Sequence, residues 1–209
     1  PGETTKTVLI TLTDDNVVEA TETFTLSLSN ATNATIGDNS GLGTITDDDA
    51  TALTINDVTQ IEGDSGTTTY TFTVSLSQEL DTAVSVNWAT ANGTTNGTDI
   101  AAQSGTVTFA AGETSKTFNV TVSGDQTVEL DETFNVNLSG LSAGGRNVSV
   151  TDAQGVGTIA NDDAAALTIN DVTQNEGNSG STTYTFTVSL DRAVDTAVSV
   201  NWATANDST

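Results

Sequence analysis

The chain has 209 residues and carries 4 Lys and Arg against 28 Asp and Glu, a formal net charge of −24 at pH 7. Such a charge repels phosphate backbones and anionic lipid headgroups, so we expect no nucleic-acid partner and no binding to bare membranes. The absence of Cys and His excludes disulfides and thiol chemistry and removes the commonest transition-metal ligand. No apolar run approaches the ~18 residues of a spanning helix, so we also expect no membrane insertion.

The dominant feature of the sequence is an internal repeat. Residues 52–92 recur with few changes at 166–206, a shift of 166 − 52 = 114 residues. The motif GETTKT at 2–7 returns as GETSKT at 112–117, and GLGTITDDDA at 41–50 returns as GVGTIANDDA at 155–164. We therefore expect the back half of one repeat at 1–49, a complete repeat at 50–163 and the front half of a third at 164–209. The chain begins with Pro1 and contains no Met, so we expect it to be part of a longer protein.

Short runs of alternating apolar and polar residues predict an all-β fold. In the complete repeat the predicted strands cover residues 53–58, 69–76, 83–89, 105–109, 116–122, 133–138 and 155–159. Gly112 and Gly140 are predicted turn positions. Alternation with a period of two predicts two inner faces of one sandwich, formed by Tyr70, Phe72, Val74, Leu76, Val84, Val86, Trp88, Phe118, Val120, Val122, Phe134, Val136 and Leu138. Trp88 is thus expected in the core, although an exposed Trp there or at the equivalent Trp202 would suit sugar stacking.

The complete repeat has the size of an independent sandwich domain, about 100 residues. The flanking halves lack their partner strands, and we expect them to fray or to find a partner. Acidic stretches at 47–49 and 161–163 run almost directly into the next strand, so successive repeats should sit end to end.

Acidic residues gather at four places in the complete repeat: Glu62 with Asp64, Asp99, the stretch 125–132, and Asp162 with Asp163. Calcium takes six to eight oxygen ligands in irregular geometry, which suits acids gathered from several loops. No EF-hand spacing is present. The simpler interpretation is that these acids form turns and solubilise the surface.

The motifs EG[DN]SG, GTD before SGTVTFAAGETSKTF, VELDETFNV and the closing GVGTIANDD resemble the Calx-beta repeat. This family is known from sodium-calcium exchangers, integrin β4 and many bacterial surface proteins. The resemblance covers essentially the whole chain. It implies tandem immunoglobulin-like sandwiches of seven antiparallel strands, with Ca2+ held at one end of each sandwich.

Carried over residue by residue, the resemblance implies a ligand set for the complete repeat. The implied ligands are Glu62, Asp99, Asp125, Glu129, Glu132, Asp162 and Asp163, and Thr127 offers a backbone carbonyl. The matching residues of the flanking halves, which form partial sites, are Asp14, Asp15, Glu19, Glu22, Asp47, Asp48, Asp49 and Glu176. Two departures predict fewer or weaker ions, since Gly124 stands where the strongest calcium binders have a second Asp and Asn161 stands where the first half has Asp47.

These features predict a non-enzymatic, calcium-binding extracellular array that spaces, stiffens or presents adhesive parts of a larger surface protein, which we expect to be bacterial. The expected partners are neighbouring repeats of the same chain. A calcium-independent module for a glycan or protein ligand is the alternative. A carboxylate-based hydrolase is disfavoured because no large concave site or raised-pKa acid is evident from the sequence. The complementary half repeats further predict head-to-tail self-association.

Overall fold

A computed structural model of the chain describes residues 2–95 and 99–206, which contain thirteen β-strands and no helix. The strands are β1 (Glu22–Ser27), β2 (Ser40–Ile45), β3 (Thr51–Ile55), β4 (Val58–Ile61), β5 (Gly66–Leu76), β6 (Val84–Asn92), β7 (Ser104–Phe109), β8 (Ser115–Gly124), β9 (Glu132–Ser142), β10 (Val148–Val150), β11 (Gln154–Ala160), β12 (Leu167–Ile169) and β13 (Val188–Leu190). None of the described residues forms a helix with the length and apolar character that a membrane span requires.

Residues 51–160 fold into a sandwich of two sheets. One sheet has four strands in the order β10-β3-β5-β8, and the other has five in the order β4-β11-β9-β6-β7. Most neighbours are antiparallel, but the short edge pairs β10 with β3 and β11 with β4 are parallel. The structure thus confirms the predicted immunoglobulin-like sandwich and adds two short parallel pairings at the sheet edges.

The core lies between the two sheets, where the alternation placed it. Twelve of the thirteen predicted inward side chains are buried, and Phe118 is partly buried against them. The rings of Trp88 and Phe118 stack with centroids 4.3 Å apart. Trp88 is therefore a core residue, only 8% exposed, whereas the equivalent Trp202 is 85% exposed.

The first predicted strand, 53–58, proves to be two strands that belong to different sheets. The chain switches sheets at Asn56 and Asp57, whose side chains replace the missing ladder bonds. The amide of Thr73 donates to Asn56 Oδ1 at 2.6 Å, and the amide of Val156 donates to Asp57 Oδ1 at 2.7 Å. This crossover places β4 beside β11 and determines where Glu62 emerges.

The turn predicted at Gly112 is confirmed, and this residue has a positive φ of 79°. The prediction of a turn at Gly140 is wrong, because Gly140 lies inside β9, beside an irregularity in the pairing with β6 between Ser85 and Asn87, and has a positive φ of 61°. Such angles favour glycine because other residues would place Cβ against their own backbone.

The flanking halves form only small pieces of sheet. β1 pairs with β2, and β12 pairs with β13. Their apolar side chains are largely exposed, and these include Leu9, Leu42, Phe186 and Trp202. The lack of an opposing sheet explains the exposure, because a sandwich buries its apolar faces only when both sheets are present.

Two equivalent contacts join the flanking halves to the central sandwich, and we call each of them a junction clasp. In the first clasp the amide of Val18 donates to Glu79 O at 2.9 Å, and the amide of Asp81 donates to Val18 O at 3.2 Å. In the second, the amide of Val128 donates to Ala193 O at 2.9 Å, and the amide of Asp195 donates to Val128 O at 3.1 Å. Successive repeats therefore touch directly.

Candidate metal centre

The acidic residues of the complete repeat converge at one end of the sandwich because of strand pairing. β4 and β11 run parallel, with Ala160 opposite Ile61, so the residues that follow both strands emerge side by side. Glu62 follows β4, and Asn161, Asp162 and Asp163 follow β11. Parallel neighbours end at the same edge of a sheet, which brings these two segments together.

Antiparallel partners bring the remaining acids to the same end. Ile159 of β11 lies opposite Glu132, the first residue of β9. Asn92, the last residue of β6, lies opposite Phe134 in β9, so the segment leading to Asp99 starts nearby. Pairing of Gly124 with Gly66 places the 125–132 loop beside the turn that follows Glu62.

Five of the seven predicted ligands form two overlapping groups. Ligand oxygens of Glu62, Asp99 and Glu129 lie within 4.8 Å of one another. Oxygens of Glu62, Asp162 and Asp163 do the same. Glu62 belongs to both groups, which gives the centre two adjacent positions with one shared carboxylate.

Glu62 is the most constrained carboxylate of the centre. It is only 2% exposed, and its Oε2 has no hydrogen-bond partner among the described residues. Burial, followed by the charges of Glu129, Asp125, Asp99 and Asp162, raises the pKa of Glu62 to about 7. A buried acid surrounded by acids can be ionised only at a cost, which a bound cation would remove.

Glu132 lies at the same end and is linked to Asp99. Burial raises its pKa to about 7, and a hydrogen bond with the Asp99 side chain and the charges of Asp99, Glu129 and Asp195 add to the effect. Glu129 follows the same pattern, with its pKa raised by burial and then by Asp99 and Asp125. Glu132 and Glu129 therefore interact electrostatically with Asp99, a member of the Glu62 group.

Asn161 organises the loops of the centre. Its Oδ1 accepts the amide of Glu129 at 3.1 Å, and its Nδ2 donates to the carbonyl of Asp163 at 2.9 Å. Its own amide donates to Asp131 Oδ1 at 3.1 Å. An aspartate could not supply the side-chain donor. In the sequence Asn161 stands out only as a missing charge, and no motif there identifies the positioning roles of Asn161 and Asp131.

Asp125 lies outside the two close groups. Its Oδ1 accepts the amide of Thr127 at 2.6 Å, which forms a tight turn at the start of the loop. Its charge still reaches the centre, since it contributes to the raised pKa values of Glu62 and Glu129.

Asp163 has a partner that the sequence motifs did not predict. Its side chain is 0% exposed and contacts the guanidinium of Arg192, which also lies 3.8 Å from Asp64 Oδ1. Burial raises the pKa of Asp163, while the charge of Arg192 opposes this rise. A sequence signal was available, because Arg192 replaces Gln78 of the preceding copy.

The partial sites differ from each other. The acids Asp14, Asp15, Glu19, Asp47, Asp48 and Asp49 line one depression in the first half. Burial and the surrounding acids raise the pKa values of Glu19 and Asp49 there. The remaining acids, Glu22 and Glu176, are exposed.

Gly124 is required by close packing. A Cβ atom at this position would overlap the carbonyl oxygen of Gly63 and lie 2.7 Å from the carbonyl oxygen of Glu62. A second Asp at this point therefore cannot be accommodated without moving the backbone that carries Glu62.

Comparison with known proteins agrees with this architecture. The sequence model of the Calx-beta domain matches residues 1–59 and 46–173. The adhesion G-protein coupled receptor V1 of Danio rerio is 33% identical over 152 residues, which are 69% of this chain and 2% of the receptor. The chain thus spans only a small part of that relative.

Two solved structures are also similar. The apo form of the Calx CBD1 domain is 24% identical and has a TM-score of 0.48, covering 55% of this chain and 100% of that one. CBD12 from CALX1.2 is 25% identical with the same TM-score of 0.48, covering 56% of this chain and 49% of that one. Because the family model matches most of its residues, the chain belongs to the Calx-beta domain family.

Proposed function

We propose that the complete repeat binds Ca2+ at the strand-end centre. The proposed ligands are Glu62, Asp99, Asp125, Glu129, Glu132, Asp162 and Asp163. The observation that carries the proposal is the environment of Glu62, a buried carboxylate shared by two groups of acids, with one oxygen lacking a hydrogen-bond partner among the described residues. Polar atoms in such positions are normally satisfied, so an unpaired buried oxygen favours a cation ligand.

The donor set favours calcium over other ions. All the side chains are carboxylates, which suit hard cations, and the chain has no Cys or His for softer ones. The ligands come from four segments, and an irregular set of this kind suits calcium better than the near-octahedral requirement of magnesium. Another similar solved structure is that of the calcium binding domain CBD12 of CALX1.1, which is 25% identical to this chain. The donor chemistry of this chain points to the same ion.

The proposed role is mechanical. A chain of Calx-beta domains is a non-enzymatic module, and we assign its repeats to 1–49, 50–163 and 164–209. The junction clasps and the near absence of linkers support an array whose angles are restricted, with calcium stiffening each strand end. Calcium at one hundred times its dissociation constant would stabilise the folded repeat by about 2.7 kcal/mol.

We place the parent protein at the cell surface, where the array would space or present adhesive parts. The similarity to an adhesion receptor supports this location. A bacterial source stays a prediction from the sequence resemblance.

Calorimetric titration of calcium into the full chain tests the binding. We expect saturable heat that is lost in the Asp162→Asn/Asp163→Asn variant and is kept in Glu79→Gln/Asp171→Asn, which removes the same charge from exposed positions. Magnesium is the matched control ion. Equal heats in both variants would locate binding elsewhere, and no heat at millimolar calcium would refute the proposal.

Small-angle scattering tests the stiffening. We expect a longer and narrower distribution of interatomic distances in calcium than in chelator. Identical distributions, in a sample whose calcium binding has been verified, would refute the mechanical role and leave binding intact.

The alternative is a calcium-independent module for a glycan or protein ligand, and an absence of calcium heat would favour it. Head-to-tail self-association of the half repeats stays a separate prediction. The exposed apolar side chains of both halves support it, and a mass in ultracentrifugation that stays monomeric at all concentrations would contradict it.

A further inference from the structure

The short segment 99–103 carries one acid of the candidate metal centre between the edges of the two sheets. It begins at Asp99, which belongs to the group with Glu62 and Glu129, and it ends immediately before β7. β7 is an edge strand of the five-stranded sheet, and β8 is an edge strand of the four-stranded sheet. The position of Asp99 therefore depends on how this segment is attached to both sheets.

The side chain of Gln103 is bonded to the open edge of β8. Its Nε2 donates to the main-chain oxygen of Thr121 at 2.8 Å, and its Oε1 accepts the main-chain amide of Thr121 at 3.0 Å. The Thr121 hydroxyl also donates to Oε1, at 3.3 Å. Residues that face each other in an antiparallel ladder can exchange the same pair of main-chain bonds. The Gln103 side chain thus takes the place of a neighbouring strand at this point of the edge.

The main chain of Gln103 is bonded to the other sheet. Its amide donates to the hydroxyl of Thr90 in β6 at 2.8 Å, and its carbonyl accepts the amide of Thr90 at 2.8 Å. The Thr90 hydroxyl also donates to this carbonyl at 3.2 Å. Gln103 therefore connects β6 of the five-stranded sheet with β8 of the four-stranded sheet through a single residue.

Asp99 is attached to the same edge of β8. Its carbonyl accepts the amide of Ser123 at 2.7 Å, and Ser123 lies two residues beyond Thr121. The next residue in the segment, Ile100, is 4% exposed and packs in the core. The segment is thus fastened to β8 at both ends, by the main chain of Asp99 and by the side chain of Gln103. Loss of the Gln103 end would remove one of these two attachments.

We propose that Gln103 is a positioning residue of the metal centre, which sets the place of Asp99 by fastening segment 99–103 to both sheets. Ligands that are held in place before binding need less ordering when the ion arrives, and the loss of outer contacts that hold them weakens metal sites. This inference rests on the proposed calcium binding and adds to it a neutral residue that no acidic motif identifies.

Calorimetry of the full chain tests the effect on calcium affinity. The background variant Asp47→Asn/Asp48→Asn/Asp49→Asn removes three acids of the first half, so that the titration reports on the complete repeat. In this background Gln103→Met, which keeps the length of the side chain and removes its hydrogen bonds, should weaken calcium binding about tenfold. Gln154→Met is the matched control, because this exposed side chain lies at the far end of β11, and it should stay within about threefold of the parent.

A second pair of variants changes the attachment without changing Gln103. Thr90→Val removes the hydroxyl that accepts the Gln103 amide, whereas Thr90→Ser keeps a hydroxyl at the same position. We expect Thr90→Val to weaken calcium binding and Thr90→Ser to stay within about threefold of the parent. Retention of affinity in Thr90→Ser identifies the hydrogen bond as the cause. This pair decides the question should Gln103→Met fail to fold.

Amide hydrogen exchange measured by NMR in chelator gives a readout that does not need calcium. In Gln103→Met the amide of Thr121 loses its acceptor and should exchange faster. The amide of Ser123, which is bonded to Asp99, should also exchange faster, because the segment that carries Asp99 has lost its second attachment. Val120 pairs with β5 and serves as the internal control, with unchanged exchange.

The outcomes separate the two proposals. Weaker calcium binding in Gln103→Met and Thr90→Val, together with faster exchange at Ser123, supports the positioning role. Parent-like affinity in both variants overturns it and leaves the calcium proposal standing. Faster exchange at Thr121 with parent-like exchange at Ser123 also overturns it, because Asp99 would then be fixed without Gln103. An absence of calcium binding in the parent overturns both proposals.

Discussion

Replacement of Glu62 by Gln should stabilise the calcium-free protein, although it removes a proposed ligand. Glu62 is 2% exposed, and its pKa is raised from 4.5 to about 7. An acid whose pKa rises on folding binds its proton more tightly in the folded state, so stability is lost as the pH rises from 4.5 towards 7. The isosteric Gln carries no charge and avoids this loss.

The magnitude follows from proton linkage. With pKa values of 4.5 unfolded and about 7 folded, ionisation of Glu62 costs about 1 kcal/mol at pH 5 and about 3 kcal/mol at pH 8. In chelator at pH 8, Glu62→Gln should therefore raise the unfolding midpoint by roughly 10 °C, with a much smaller rise at pH 5. Saturating calcium should stabilise the parent and leave Glu62→Gln almost unchanged, because the shared ligand is gone.

The unfolding midpoint is measured by thermal unfolding in four conditions, at pH 5 and at pH 8, each with calcium and with chelator. The matched control is Glu176→Gln, the equivalent position of the third repeat, where the carboxylate is exposed. This control should move the midpoint by less than about 2 °C in each condition. If Glu62→Gln lowers the midpoint in chelator at pH 8, or raises it equally at both pH values, the electrostatic argument is wrong.

Two further predictions concern packing, and both are measured by denaturant unfolding in chelator. Gly124→Ala should destabilise the sandwich by about 1–3 kcal/mol and weaken calcium binding, because the added Cβ overlaps the carbonyl of Gly63; parent-like stability would contradict the close approach. Trp88→Ala should cost about 3–5 kcal/mol, since it removes the ring stacked on Phe118, whereas Trp202→Ala, at an 85% exposed position, should change stability by less than about 0.5 kcal/mol. Equal effects of the two Trp substitutions would contradict the assignment of Trp88 to the core.

Several elements were predictable because their signal is local. The alternation in TYTFTVSL and FNVTV marks strands β5 and β8 and their inner faces, because successive side chains of a strand point to opposite sides. The copied motifs predicted the repeat and the family, and the family model confirms the latter. The crossover at Asn56 was not predictable, because the sequence pattern of two short strands separated by two polar residues is the same as that of a single strand with a local irregularity.

For the candidate centre, the residue types were predictable from the sequence but their grouping in space was not. Residue types and motif positions placed seven acids in a proposed ligand set, but strand pairing decides that Glu62 shares two groups while Asp125 lies outside both. The positioning role of Asn161 depends on loops that are 32 residues apart in sequence. No local pattern encodes such a contact.

The sequence by itself determined the strand pattern, the repeat, the acidity and the family of this protein, since these depend on composition and on residues a few positions apart. Only the tertiary structure decided the burial of Glu62, the overlap that requires Gly124 and the contact between Arg192 and Asp163. The physical reason is that burial, close packing and charge interactions depend on distances in space, and the parallel pairing of β4 with β11 and the junction clasps set those distances.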